Sequence, residues 1–111
     1  MEIKITNKDS YLVVDIIGSV DMYTAVELKE VIDEIELEPN DALIFNFANV
    51  NYVDSSGIGT LIKIVNSTQD QQARFYIAHM KSMIEKVFNV AGLMNYFSIL
   101  SNEEFKEKFP Y

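Results

Sequence analysis

Polar and apolar positions along the chain change period several times, and each change marks an element. Ile3 and Ile5 alternate with polar neighbours, residues 11–17 are a mostly apolar, β-branched run, and Asn7-Lys8-Asp9-Ser10 between them is turn chemistry. That pattern predicts an opening hairpin. Met22, Ala25, Leu28, Val31, Ile32 and Ile35 then recur at helical spacing behind Asp21, which can accept hydrogen bonds from the free amides after it, so a first helix is expected to end before Pro39. Leu43-Ile44-Phe45-Asn46-Phe47 reads as a strand covered on both faces, followed by a loop over residues 49–54.

Ile58, Leu61, Ile62 and Val65 give one buried stripe of a second helix, which ends as residues 66–72 turn polar. Residues 74–78 predict a fourth strand. Met80, Met83, Ile84, Val87 and Phe88 predict the buried side of a third helix, with Gly92 left-handed near its close. Residues 97–100 predict a short last strand, and Asn102 is placed to cap a terminal helix that carries Phe105 and Phe109 and stops at Pro110. Strands and helices alternate after the hairpin, so the expected architecture is α/β: a mostly parallel central β-sheet, an N-terminal hairpin strand and about four helices.

Composition narrows the picture. At 111 residues, 49% of them hydrophobic, the chain suits one domain over residues 1–111 with a single core and is too apolar for a disordered segment. A net charge of −8 argues against direct nucleic-acid binding, which needs clustered Lys and Arg, and points to a protein partner with a basic patch or simply to solubility. With no cysteine, disulfides and zinc–thiolate sites are excluded. No apolar segment is long enough to span a bilayer and the N-terminus lacks the apolar stretch of a secretory signal, so a cytoplasmic protein, monomeric or weakly dimeric and without membrane association, is expected.

The candidate chemistry lies in Asp54-Ser55-Ser56-Gly57-Ile58-Gly59, where a loop runs into a helix. The first amides of a helix lack intrahelical partners and the aligned peptide dipoles place partial positive charge there, so a phosphate on a hydroxyl at that end is tolerated. One polar side chain suffices as a cap, for which Asp54 and Ser55 compete, and that leaves the Ser56 hydroxyl available.

This stretch resembles the signature of the bacterial anti-sigma factor antagonists, small STAS-domain proteins in which the second serine of the motif is phosphorylated by a partner kinase. Gly18-Ser19-Val20-Asp21-Met22-Tyr23-Thr24-Ala25 and Val90-Ala91-Gly92-Leu93 extend the resemblance over most of the chain. It implies a STAS fold and a non-enzymatic binding switch that holds an anti-sigma factor serine kinase when unmodified, so freeing a sigma factor. Phosphorylation of Ser56 by that kinase, with ATP and magnesium bound on the kinase and no cofactor here, would release the complex, and a PP2C-type phosphatase would restore it. The resemblance also places the Asp21 carboxylate near the serine, there to position it or the kinase's metal; a plain helix cap is the simpler reading. The expected docking surface comprises Tyr52, Asp54, Ser55, Ser56 and Gly57, then Thr60 and Lys63 on the second helix, and Asp21, Met22 and Tyr23 at the start of the first.

Three other readings compete. Gly57 and Gly59 suggest a phosphate loop, but a dinucleotide fingerprint wants a third glycine where Ile62 stands and a Walker loop needs Gly-Lys-Ser/Thr. A serine nucleophile needs an oriented base, and His79, the only histidine, lies at the end of the fourth strand. A STAS module can also serve as an unphosphorylated scaffold or as a small-ligand or nucleotide-sensing unit.

Overall fold

Alternation at the N-terminus does produce a hairpin: β1 (Glu2–Asn7) runs antiparallel to β2 (Tyr11–Val20) in the computed structural model, which describes residues 1–111. There follow α1 (Thr24–Asp33), β3 (Ala42–Val53), α2 (Ser55–Asp70), β4 (Arg74–Ala78), α3 (Ser82–Val90), a 3₁₀ turn at Met94–Tyr96, β5 (Ile99–Leu100) and α4 (Asn102–Lys108). The strands stand side by side in sequence order, and every pair after the hairpin is parallel. This is the α/β architecture expected from the alternation of elements.

Because successive strand residues point to opposite faces, β2 and β3 divide their side chains between two cores. Leu12, Val14, Ile16, Leu43, Phe45 and Phe47 face α1, α2 and α3, which contribute Ala25, Leu28, Leu61, Ile64, Ile84 and Phe88. On the other face Val13, Ala42, Ile44, Ala78 and Leu100 lie under Phe105 of α4 and Phe109, the residue that closes the helix. Asp15 and Asn46 share that second face, and the hydroxyl of Tyr111 donates to Asp15 Oδ1 at 2.8 Å while the Asn46 amide donates to both.

Several expectations are corrected. Residues 49–53 are not a loop: β3 continues to Val53, paired with β2 through irregularities between Asp15 and Ile17 and between Gly18 and Ser19. A bulge changes which residues face inward, so Val50 and Val53 are buried while Asn49, Asn51 and Tyr52 are exposed. Only Asp54 separates β3 from α2. In α2 the inward stripe uses Ile64 where Ile62 was expected, and the helix carries its polar end through to Asp70; buried Thr68 satisfies its hydroxyl on the Ile64 carbonyl at 2.7 Å.

On α3 only Ile84 and Phe88 are buried, and Met83 and Val87 face solvent because the helix leans on the sheet through a single i, i+4 pair. Gly92 is left-handed as expected, with φ of +73°. The cap of α4 is Ser101, not Asn102. Its hydroxyl accepts from the Glu104 amide, and the Glu104 carboxylate accepts from the Ser101 amide, a reciprocal pair that Asn102 could not form from inside the helix. No helix is long and apolar enough to cross a membrane.

Candidate functional site

Where β3 ends, Asp54 is extended (φ −102°, ψ −178°) and its Oδ1 accepts from the Gly57 amide at 2.8 Å, so Asp54 alone caps α2. Its own amide donates to the Val20 carbonyl at 3.3 Å, and its carbonyl accepts from Ile58 at 3.0 Å. Ser55 and Ser56 occupy the first turn with exposed side chains. Neither hydroxyl is needed as a cap. The Ser56 oxygen therefore stands in solvent at the positive end of a helix whose regular span is 16 residues.

Gly57 fixes how that end is held. It is buried, and a Cβ built on it would lie 2.2 Å from the Val20 carbonyl oxygen, so the first turn of α2 rests directly on the last residue of β2. Gly57, placed with the docking residues by the sequence, thus faces the fold: its part is close approach of two backbones, not contact with a partner. Gly59, by contrast, has nothing within 4 Å of its Cβ position.

The same approach brings the β2–α1 loop alongside. Asp21 Oδ1 accepts from the amides of Tyr23 (2.9 Å) and Thr24 (3.0 Å), and the Asp21 amide donates to Thr24 Oγ1 at 2.9 Å. This reciprocal arrangement starts the helix just ahead of its regular span, as a cap does. The Thr24 amide above all, and then that of Tyr23, hold the Asp21 carboxyl below its ordinary value of 3.8. Asp21 is thereby a committed, ionised cap of its own loop. No group of three or more acidic or histidine side chains is placed to hold a metal ion.

The segments that meet where Val20 touches Gly57 also carry exposed apolar side chains: Met22, Tyr23 and Tyr52 are 55%, 77% and 54% exposed. Val26, one turn beyond Met22 and 58% exposed, extends the patch and was not foreseen, because it interrupts no polar pattern and lies off the buried stripe. On α2, Ser56, Gly59, Thr60 and Lys63 recur at i, i+3, i+4 and i+7 and form the outward stripe opposite Ile58, Leu61 and Val65. Thr60 is half-buried and Lys63 exposed. Ser19 Oγ donates to Asn51 Oδ1 at 3.0 Å and ties the two strands that carry the patch. The base that a serine nucleophile would need lies elsewhere: the His79 ring packs edge-on against Phe105 at 5.3 Å, on the sheet face that α4 covers and away from α2.

Residues 2–106 match the family model of the STAS domain. The chain is 28% identical over 93 residues to the anti-sigma-B factor antagonist of Staphylococcus aureus, covering 84% of this chain and 86% of that one. Among solved structures, a Thermotoga maritima protein put forward as an anti-sigma factor antagonist superposes with a TM-score of 0.80 at 16% identity, over 98% and 95% of the two chains. The Bacillus cell fate determinant SpoIIAA, in its phosphorylated form, does so with a TM-score of 0.70 at 18% identity, over 96% and 98%. At such identities the two superpositions speak for the fold.

Proposed function

The chain belongs to the STAS domain family, and on that premise we propose that it is an anti-sigma factor antagonist whose docking is switched by phosphorylation of Ser56. The observation that carries this reading is the division of labour at the start of α2: Asp54 caps the helix, and the Ser56 hydroxyl is left exposed. Unmodified, the surface around Ser56 binds an anti-sigma factor with serine-kinase activity and so frees a sigma factor. The kinase, with ATP and magnesium on its own side, transfers phosphate to Ser56 and lets go; a PP2C-type phosphatase reverses the step.

The physics supports a switch at the interface and not in the fold. Phosphoserine brings about −1.5 to −2 charges, which the helix dipole and the free amides of the first turn accept. The same charge lands beside Met22, Tyr23 and Tyr52, apolar surfaces that a partner must cover to bind. Burying a phosphate there without a cationic partner opposes docking; a loss of about 3 to 4 kcal/mol weakens binding by about 10² to 10³. In this reading Tyr52, Met22, Tyr23, Ser55, Thr60 and Lys63 touch the partner, while Asp54 and Asp21 hold the two loops that present them.

Two measurements test the proposal. Incubation with the cognate kinase and ATP, followed by mass spectrometry, should place one phosphate on Ser56 and none on the Ser56→Ala variant. Calorimetry should show Ser56→Ala binding that kinase as the unmodified protein does and Ser56→Asp binding at least tenfold more weakly, with both variants as stable as the parent. An unmodified Ser56, or equal binding by both variants, would leave the chain a constitutive scaffold.

A further inference from the structure

On the opposite sheet face, a cleft of about 410 Å³ opens between α4, the C-terminal residues and the end of β4. We infer that it is a binding site for a small amphipathic anion, a flat apolar body bearing a single carboxylate. At that volume the cleft lies near the lower end of the roughly 300–1,000 Å³ that small-molecule sites occupy. It lies just beyond the carboxyl end of β4, whose last residue, Ala78, precedes His79.

The lining has the chemistry of such a ligand. Phe105, Phe109 and Tyr111 offer aromatic surface, with ring centroids of Phe105 and Tyr111 5.5 Å apart. Lys106 and Asn102, one turn apart on α4, and His79 supply the polar contacts. No Asp or Glu side chain lines the cleft, in a chain that carries 17 of them against 9 Lys and Arg. Lys106 is also free: the two ion pairs of the structure are Lys29 with Asp33 and Lys108 with Glu104. One free ammonium suits one negative charge, and the imidazole of His79 adds an N–H donor.

The walls are held in place before any ligand arrives. Tyr111 is anchored through its hydroxyl to Asp15 and Asn46, and the Tyr11 hydroxyl donates to the Pro110 carbonyl, so the C-terminal residues are fixed on the sheet. His79 adopts the left-handed conformation (φ +57°), as do only two other non-glycine residues, Asn40 and Gln72, and both of those lie in turns. Residues kept in this region cluster at ligand sites, and here the conformation follows directly on β4 and sets the His79 ring edge-on to Phe105. A preformed wall lowers the ordering cost of binding.

Naphthylacetate, with naphthylethanol and naphthylethylamine as its neutral and cationic counterparts, tests the inference in a ¹H–¹⁵N correlation titration of the full chain. The carboxylate should saturate with shifts confined to His79 and residues 102–111, bind at least threefold tighter than the alcohol, and outcompete the amine. Lys106→Glu, an exposed substitution that leaves the aromatic walls intact, should weaken the carboxylate about tenfold, and Lys106→Arg should retain it. Shifts that do not saturate or that scatter over the α2 face, equal affinity for the three probes, or a Lys106→Glu variant that binds as the parent does would each overturn it.

Discussion

Gly57 and Gly59 stand two residues apart in the same helical turn, and adding a methyl group to each should move stability in opposite directions. A glycine inside a helix costs about 0.5–1 kcal/mol relative to alanine, because its unfolded backbone has more freedom to lose. At Gly59 nothing lies within 4 Å of the new Cβ, so Gly59→Ala should keep that gain in full. At Gly57 the new Cβ would meet the Val20 carbonyl oxygen at 2.2 Å and its carbon at 3.0 Å. That carbonyl is backbone of a central strand and accepts the Asp54 amide at 3.3 Å, so it cannot swing aside as a side-chain tip would. Overpacking of this kind typically costs about 1–3 kcal/mol and exceeds the entropic gain. Both variants share the entropic gain, so they should differ by the overpacking cost, about 1–3 kcal/mol, or several degrees in Tm for a domain of this size. Urea unfolding followed by circular dichroism, with m-values compared, measures the gap. A Gly57→Ala protein as stable as Gly59→Ala would show that α2 does not rest on β2 as described, and the placement of Ser56 would fall with it.

Two further outcomes follow from the caps. Asp54→Ala should cost about 1 kcal/mol in the same unfolding assay by freeing the Gly57 amide, and Asp54→Asn should recover most of the loss because asparagine caps nearly as well. The Asp21 carboxyl has a folded-state pKa below its ordinary 3.8, so it contributes stability that is present above that value and is lost as pH falls through the lower, folded one. Stability curves for the parent and Asp21→Asn should accordingly converge below about pH 4 and separate above it; a constant offset across the acid range would refute the assignment.

What the residues disclose before folding depends on the range over which the physics acts. Ala25, Leu28 and Ile32 of α1, the β4 segment and the left-handed Gly92 follow from period and backbone chemistry within a few residues of themselves, whereas Met22, part of the same spacing, lies ahead of the helix and is exposed. The extension of β3 does not, because Asn49, Asn51 and Tyr52 belong to a strand only when β2 pairs beside them, and the bulges that make the pairing possible lie some thirty residues earlier. The same holds for α4: Ser101 and Asn102 are equally good caps in isolation, and the reciprocal bond to Glu104 decides between them. The C-terminal cleft is illegible for a stronger reason, since His79 and Lys106 meet only after β5 has docked beside β4.

At the proposed switch the legible and illegible parts combine into one consequence. Two adjacent serines after an aspartate exceed what a helix start requires, and the structure gives the cap to Asp54 and exposes both hydroxyls. Had Ser56 been the cap, modifying it would have removed an amide partner, and the phosphate would have acted on the helix as well as on the surface. Because Asp54 holds the Gly57 amide and Gly57 holds the helix to Val20, the first turn is secured by residues that the modification leaves untouched. Under the proposed function, charge added at Ser56 would then act outward, toward Met22, Tyr23 and Tyr52, and the geometry that would tolerate a phosphate would confine its effect to whatever docks there.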